Sequence, residues 1–174
     1  MFHARYRCLS LGQCMGFHFN AERNTTPPRV LADEDSASVR VRVGNDDEGH
    51  SYHLVVSLDP DPTGQSELNF SIVQYRDSFD PEHVFYQSSD VAGVIDRKSR
   101  EKIRSELQKA TKLLINTVRP RSIVLRAPQT NLPEKALIKY YLLVQVILSC
   151  DYTARLLAPL VWCMERSDLN TGTA

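Results

Sequence analysis

Six residues from Ser38 to Val43 alternate valine with serine or arginine, so Val39, Val41 and Val43 share one face and Arg40 and Arg42 the other. Period-two alternation of this kind predicts a half-buried strand. The polar run Gly44-Asn45-Asp46-Asp47-Glu48-Gly49 predicts a turn. Tyr52, Leu54, Val56 and Leu58 then alternate again, which makes a hairpin with a loop longer than two residues. Asp59-Pro60-Asp61-Pro62-Thr63-Gly64 breaks the chain, and a third strand from Glu67 to Tyr75 puts Leu68, Phe70 and Ile72 on one face. The opening of the folded part is therefore a three-stranded antiparallel meander.

The second half changes period. After Asp77-Ser78-Phe79-Asp80-Pro81 and a short strand from His83 to Gln87, a helix is predicted from Arg97 to about Val118. Asp96 is placed to accept a hydrogen bond from a free backbone N–H of its first turn. Ile103, Leu107, Ala110, Leu114 and Val118 make one apolar stripe, with most of the charged residues elsewhere. Pro120 ends the helix, because a residue before proline avoids helical backbone angles. Ser122 to Arg126 reads as a short strand covered on both faces. Pro133, whose missing N–H costs nothing in a first turn, opens a second helix to about Ser149, with Leu137, Tyr140, Tyr141, Val144, Ile147 and Leu148 as its buried stripe. Two closing strands, Tyr152 to Leu157 and Leu160 to Glu165, are split by Ala158-Pro159. The fold class is α/β (α+β): an antiparallel meander followed by β-α-β-α-β-β on a mixed sheet, since strand–helix–strand units call for parallel strands.

Residues 38–166 form a single domain on this reading. The stretch from Met1 to Ala37 has neither period, contains Asn24-Thr25-Thr26-Pro27-Pro28 and Asp33-Glu34-Asp35-Ser36, and reads as a mobile leader with room for one short ordered piece. Residues 167–174 read as a frayed tail.

Composition narrows the function classes. The 174 residues are 42% hydrophobic and 24% charged, the profile of a soluble globular domain with one core. Lysine plus arginine and aspartate plus glutamate both number 21, so there is no cationic surplus to displace counterions from nucleic acid. The longest apolar run, Tyr140 to Leu148, is too short for a bilayer, and Met1 to Gly16 has no apolar core of a signal peptide. Cys8, Cys14, Cys150 and Cys163 have no C-x-x-C spacing, which points to free thiols in a reducing cytoplasm. His3, Cys8, Cys14 and His18 do not have the spacing of a common zinc site, so no metal is expected. The basic stretch from Arg97 to Arg104 reads as a solvated helix face, with nucleic-acid binding only a minor alternative.

Candidate chemistry comes from the second half. Asn131, Ala136, Tyr140 and Tyr152 stand in an order that resembles the Gcn5-related N-acetyltransferase (GNAT) family: asparagine after a strand, then alanine and tyrosine on the following helix, then an aromatic entering the next strand. The order of elements from Ser38 to Arg166 is similar as well. The resemblance implies a GNAT-like fold, acetyl-CoA as cofactor, its pyrophosphate on a glycine-rich loop before a helix, and a tyrosine as proton donor. The cofactor segment would be Val91, Ala92, Gly93, Val94 and Ile95, and the catalytic candidates Tyr140 and Tyr141. The stretch from Gln87 to Asp96 carries one glycine and two aspartates, which repel phosphate. Two expectations follow. The preferred one is a non-catalytic or degenerate GNAT-like module without cofactor, binding a protein or small-molecule partner; the other is an acyl-CoA-dependent N-acyltransferase with an atypical phosphate loop.

Overall fold

The computed structural model describes residues 16–21, 27–76, 81–85, 88–127, 132 and 134–169, without the side chains of 81–90 and 169. The strands are β1 (His18–Phe19), β2 (Val30–Ala32), β3 (Ala37–Asn45), β4 (Ser51–Pro60), β5 (Ser66–Tyr75), β6 (Pro81–Phe85), β7 (Ser122–Arg126), β8 (Tyr152–Ala158) and β9 (Val161–Arg166). The helices are α1 (Ser88–Val94), α2 (Arg97–Val118) and α3 (Glu134–Leu148). Among the described residues these nine strands join one mixed sheet in the order β1-β3-β4-β5-β7-β9-β8, with β2 also on β3 and β6 also on β5.

The meander is β3-β4-β5, antiparallel throughout, and its inward residues Val39, Val41, Tyr52, Leu54, Val56, Leu58 and Leu68 are buried. The span expected as a leader contributes two short strands, β1 and β2, which pair with β3. A bulge between Arg42 and Gly44 lets β1 lie close here. A Cβ at Gly44 would come within 2.6 Å of the His18 carbonyl oxygen, so only glycine fits. Asp46 ties the β3–β4 turn: its carboxylate accepts from the Tyr52 hydroxyl and the His50 backbone N–H, both at 2.9 Å, and lies 2.9 Å from His50 Nδ1. Burial alone would raise the Asp46 carboxyl, but the bonds from His50 and Tyr52 outweigh it and hold it below the usual carboxylate range.

α2 has its expected limits. The Asp96 carboxylate accepts from the Ser99 N–H at 3.0 Å, and Arg119 closes the other end with a left-handed backbone (φ 49°) whose N–H reaches the Ile115 carbonyl. Its buried face, Ile103, Leu107, Ala110, Thr111, Leu114 and Ile115, packs on β3 and β4. Val118, expected on that stripe, lies in the final turn and is exposed. The joint between β5 and β7 is short. Only Ser66–Ile123 and Glu67–Val124 are paired, in parallel, and β6 takes up β5 from Ile72 to Tyr75. Arg126 reinforces the joint, with Nη2 3.1 Å from Asp61 Oδ2 and Nε 3.1 Å from Glu67 Oε1. β7 is buried on both faces through Ile123, Val124 and Leu125.

The expected strand–helix–strand unit β7-α3-β8 is present, but β9 lies between β7 and β8 and is antiparallel to both. α3 packs on β8, β9 and α2. Replacing Asp96 by alanine removes the cap of the long helix and is expected to lower unfolding free energy by about 1 kcal/mol in urea titration, with Asp96→Asn retaining most of it.

Candidate functional site

The segment expected to meet a cofactor is helical rather than a loop. Val91, Ala92, Gly93 and Val94 form the last turns of α1, and the Ile95 N–H donates to the Val91 carbonyl at 2.8 Å. Val91 and Val94 are half-buried and Ile95 is buried in the core. The spacing of these three apolar residues, i, i+3 and i+4, is the signal for this turn of helix, and in seven residues it is easily read as a loop. The α2 N-terminus that follows is closed by its own aspartate. The Asp96 carboxyl is held below the usual range by the Ser99 side-chain and backbone hydrogen bonds.

The tyrosines separate. Consecutive helical residues point about 100° apart, so Tyr140 and Tyr141 cannot share one narrow stripe. Tyr140 is 3% exposed, whereas Tyr141, expected to be buried, is 51% exposed. Tyr140 stacks on Trp162 of β9 at 6.3 Å between centroids and tilts against Phe70 of β5 at 5.7 Å. Burial pushes its phenol up to about 12. Tyr141 meets Trp162 edge-on at 5.7 Å. Lys139 lies on the other flank of α3, its Nζ 5.1 Å from the ring centroids of both Phe70 and Tyr140. Burial and then the Arg104 charge lower its ammonium.

Comparison with family models, with curated proteins and with solved structures gives no match.

The remaining positions of the resemblance divide likewise. Asn131 lies outside the described residues, as do His3, Cys8, Cys14 and Gln87. Ala136 is half-buried on α3, and the Tyr152 hydroxyl donates to the Pro120 carbonyl, tying the start of β8 to the end of α2. Burial raises the Tyr152 phenol to about 12. Cys150 and Cys163 are free and buried. Among the described residues no group of three or more His, Cys, Asp or Glu is arranged to hold a metal ion, and no helix is long and apolar enough to cross a membrane.

What sequence reading missed is a surface. Among the described residues β8 is the last strand of the sheet, and every residue from Thr153 to Ala158 is exposed. Leu156 is 63% and Leu157 52% exposed, and Leu156 is paired with Trp162, the residue under Tyr141. At 100° per residue, Ile138, Tyr141, Gln145 and Leu148 follow one another along the flank of α3 opposite Lys139. The first three of these are exposed and Leu148 half-buried. An uncharged helix flank thus adjoins an apolar strand edge. Arg155 is the one charge on β8, and its Nη2 is 3.0 Å from Glu165 of β9.

On the face of the meander away from the helices, His53 Nδ1 accepts from Arg40 Nε at 3.1 Å, and the Arg40 guanidinium lies 4.1 Å from the Tyr75 ring centroid. Burial, then the charges of Arg40 and Arg42, push His53 down to about 4. The folded protein therefore disfavours the imidazolium, so stability present above the ordinary histidine value, near 6.5, is lost as pH falls from there towards about 4. Denaturant titrations at pH 7 and pH 5 are expected to give a smaller pH dependence in His53→Gln than in the unaltered chain; an unchanged slope would place the sensitivity elsewhere. At the aromatic cluster, Trp162→Ala is expected to cost about 3–5 kcal/mol in the same measurement, because a large buried side chain leaves a cavity.

Proposed function

We propose that this chain is a non-catalytic, GNAT-like interaction module that binds a protein partner through the edge of β8 and the adjoining flank of α3. The observation that carries the reading is the apolar edge itself, with Leu156 and Leu157 exposed on a terminal strand. Unpaired edges are adhesive, because their N–H and C=O groups remain open to another strand. Folded chains usually blunt them with charge, and here Arg155 already has Glu165 beside it. Tyr141 and Ile138 extend the apolar surface onto the helix layer. Strand addition to such an edge draws affinity from main-chain hydrogen bonds and specificity from alternate side chains.

Three features support a non-catalytic role. A general acid works best with a pKa near the working pH, and the Tyr140 phenol, at about 12 and enclosed by Phe70 and Trp162, is far from it. Val91 to Val94 are bonded into a helix, so their backbone amides are not those of an open phosphate loop. The first turn of α2 already has the Asp96 carboxylate as its anion. The GNAT-like element order, a meander followed by alternating helices and strands, supports likeness of architecture, and architecture does not carry activity.

Coenzyme A and acetyl-CoA titrated to millimolar concentration are expected to leave the melting temperature unchanged and to give no calorimetric heat of binding. Saturable micromolar binding that is lost on altering Val91 and Ile95 would overturn the reading in favour of an N-acyltransferase.

A further inference from the structure

Resting on that reading of the β8 surface, we infer that its partner is a second copy of this chain, joined by antiparallel pairing of β8 with β8 about a two-fold axis at Ala154. A two-fold interface must be self-complementary: each residue i that meets j is answered by j meeting i. Antiparallel pairing of a strand with itself meets this condition in a small number of registers, and charge and backbone shape choose among them.

Centring the axis on Arg155 would set two guanidinium groups directly opposite one another, and like charges so placed repel. Centring it on Leu156 would draw in the bulge between Leu156 and Ala158, where regular pairing of β8 is interrupted. Centring it on Ala154 uses the regular stretch from Tyr152 to Leu156. Ala154 then meets its own copy, Thr153 meets Arg155, and Tyr152 meets Leu156. Since Thr153 is already paired with Glu165 of β9, each copy's Arg155 approaches the other copy's Thr153–Glu165 row, and the polar face of the joined sheet alternates in sign. No charge is opposed by its like. Equal numbers of basic and acidic residues, 21 of each, remove net repulsion between copies.

The helix layer obeys the same symmetry. α3 follows the sheet antiparallel to β8, so the axis at Ala154 brings the flanks of the two α3 helices together in opposite directions. Ile138 and Tyr141 of one copy then face the Leu148 end of the other, and Gln145 lies near the axis. An amide can donate to and accept from its own copy, so this one polar residue of the flank suits a self-contact. Leu156, 63% exposed in the single chain, becomes covered beside the other copy's Tyr152.

Sedimentation equilibrium of the full chain, from about 1 to 100 µM, tests this directly, since affinities in that range correspond to modest interfaces. A dimer is expected, and Leu156→Asp is expected to raise its dissociation constant by at least about tenfold. The far-UV spectrum of that variant should be unchanged, because the side chain is already exposed. Residues directly opposite in an antiparallel pair have Cα atoms roughly 4.5–5.5 Å apart, within the range a disulfide spans. With Cys8 and Cys14 both replaced by serine, Ala154→Cys is therefore expected to cross-link on mild oxidation, whereas Leu157→Cys and the serine-substituted chain alone are not. A monomer at all concentrations, with Ala154→Cys uncross-linked, would overturn the second-copy inference. So would a dimer indifferent to Leu156→Asp. In either case, silence towards coenzyme A would leave the interaction reading standing with a different partner, whereas coenzyme A binding would remove that reading first.

Discussion

The two halves of this sheet meet through two parallel residue pairs, Ser66–Ile123 and Glu67–Val124, and the rest of the structure depends on that short joint. On one side lies the antiparallel meander with β1, β2 and β6 along its margins; on the other lie β7, β9 and β8. Backbone pairing across so small an overlap would hold the halves weakly. Two other contacts support it. Arg126 reaches Asp61, which orders the β4–β5 turn by accepting from the Thr63 and Gln65 N–H groups, and also reaches Glu67 on β5 itself. The helix layer spans the joint from above: α2 packs on β3 and β4, α3 on β8 and β9, and the two helices on each other. The core is continuous across the joint, from Val39 and Leu54 through Leu114 and Leu143 to Trp162 and Met164.

That arrangement explains where the exposed apolar surface arises. α2 covers the meander and α3 covers β9 and the inner part of β8, so among the described residues no helix lies beyond the outer edge of β8. Tyr140 faces inward and completes the aromatic contact with Phe70 and Trp162. Its neighbour Tyr141, turned by one helical step, reaches the surface on the β8 side. The same helix thus closes the core with one tyrosine and presents the other.

Much of the fold was legible in the chain because the decisive signals are local. Asp96 and Pro120 bound α2, the Val39–Val43 alternation fixes the inward face of β3, and Ala158-Pro159 divides the last two strands. Short elements were not legible. β1 and β2, of two and three residues, are too brief for a period to show, and they exist because Gly44 and the edge of β3 accept them. α1 has too few residues for an apolar stripe to separate it from a loop. Strand order is non-local by nature: nothing between Tyr152 and Arg166 states that β9 inserts beside β7 and leaves β8 outermost. For that reason the catalytic and cofactor candidates were readable as residue types, while the exposed edge emerged only from the arrangement of the sheet.

Amide hydrogen exchange across a range of protein concentrations tests the importance of that edge most directly. Raising the concentration is expected to slow exchange within β8 (Tyr152–Ala158) and to leave α1 and the first turn of α2 unaffected. Exchange in β8 that is independent of concentration, together with protection of Val91 to Ser99 on adding coenzyme A, would contradict it.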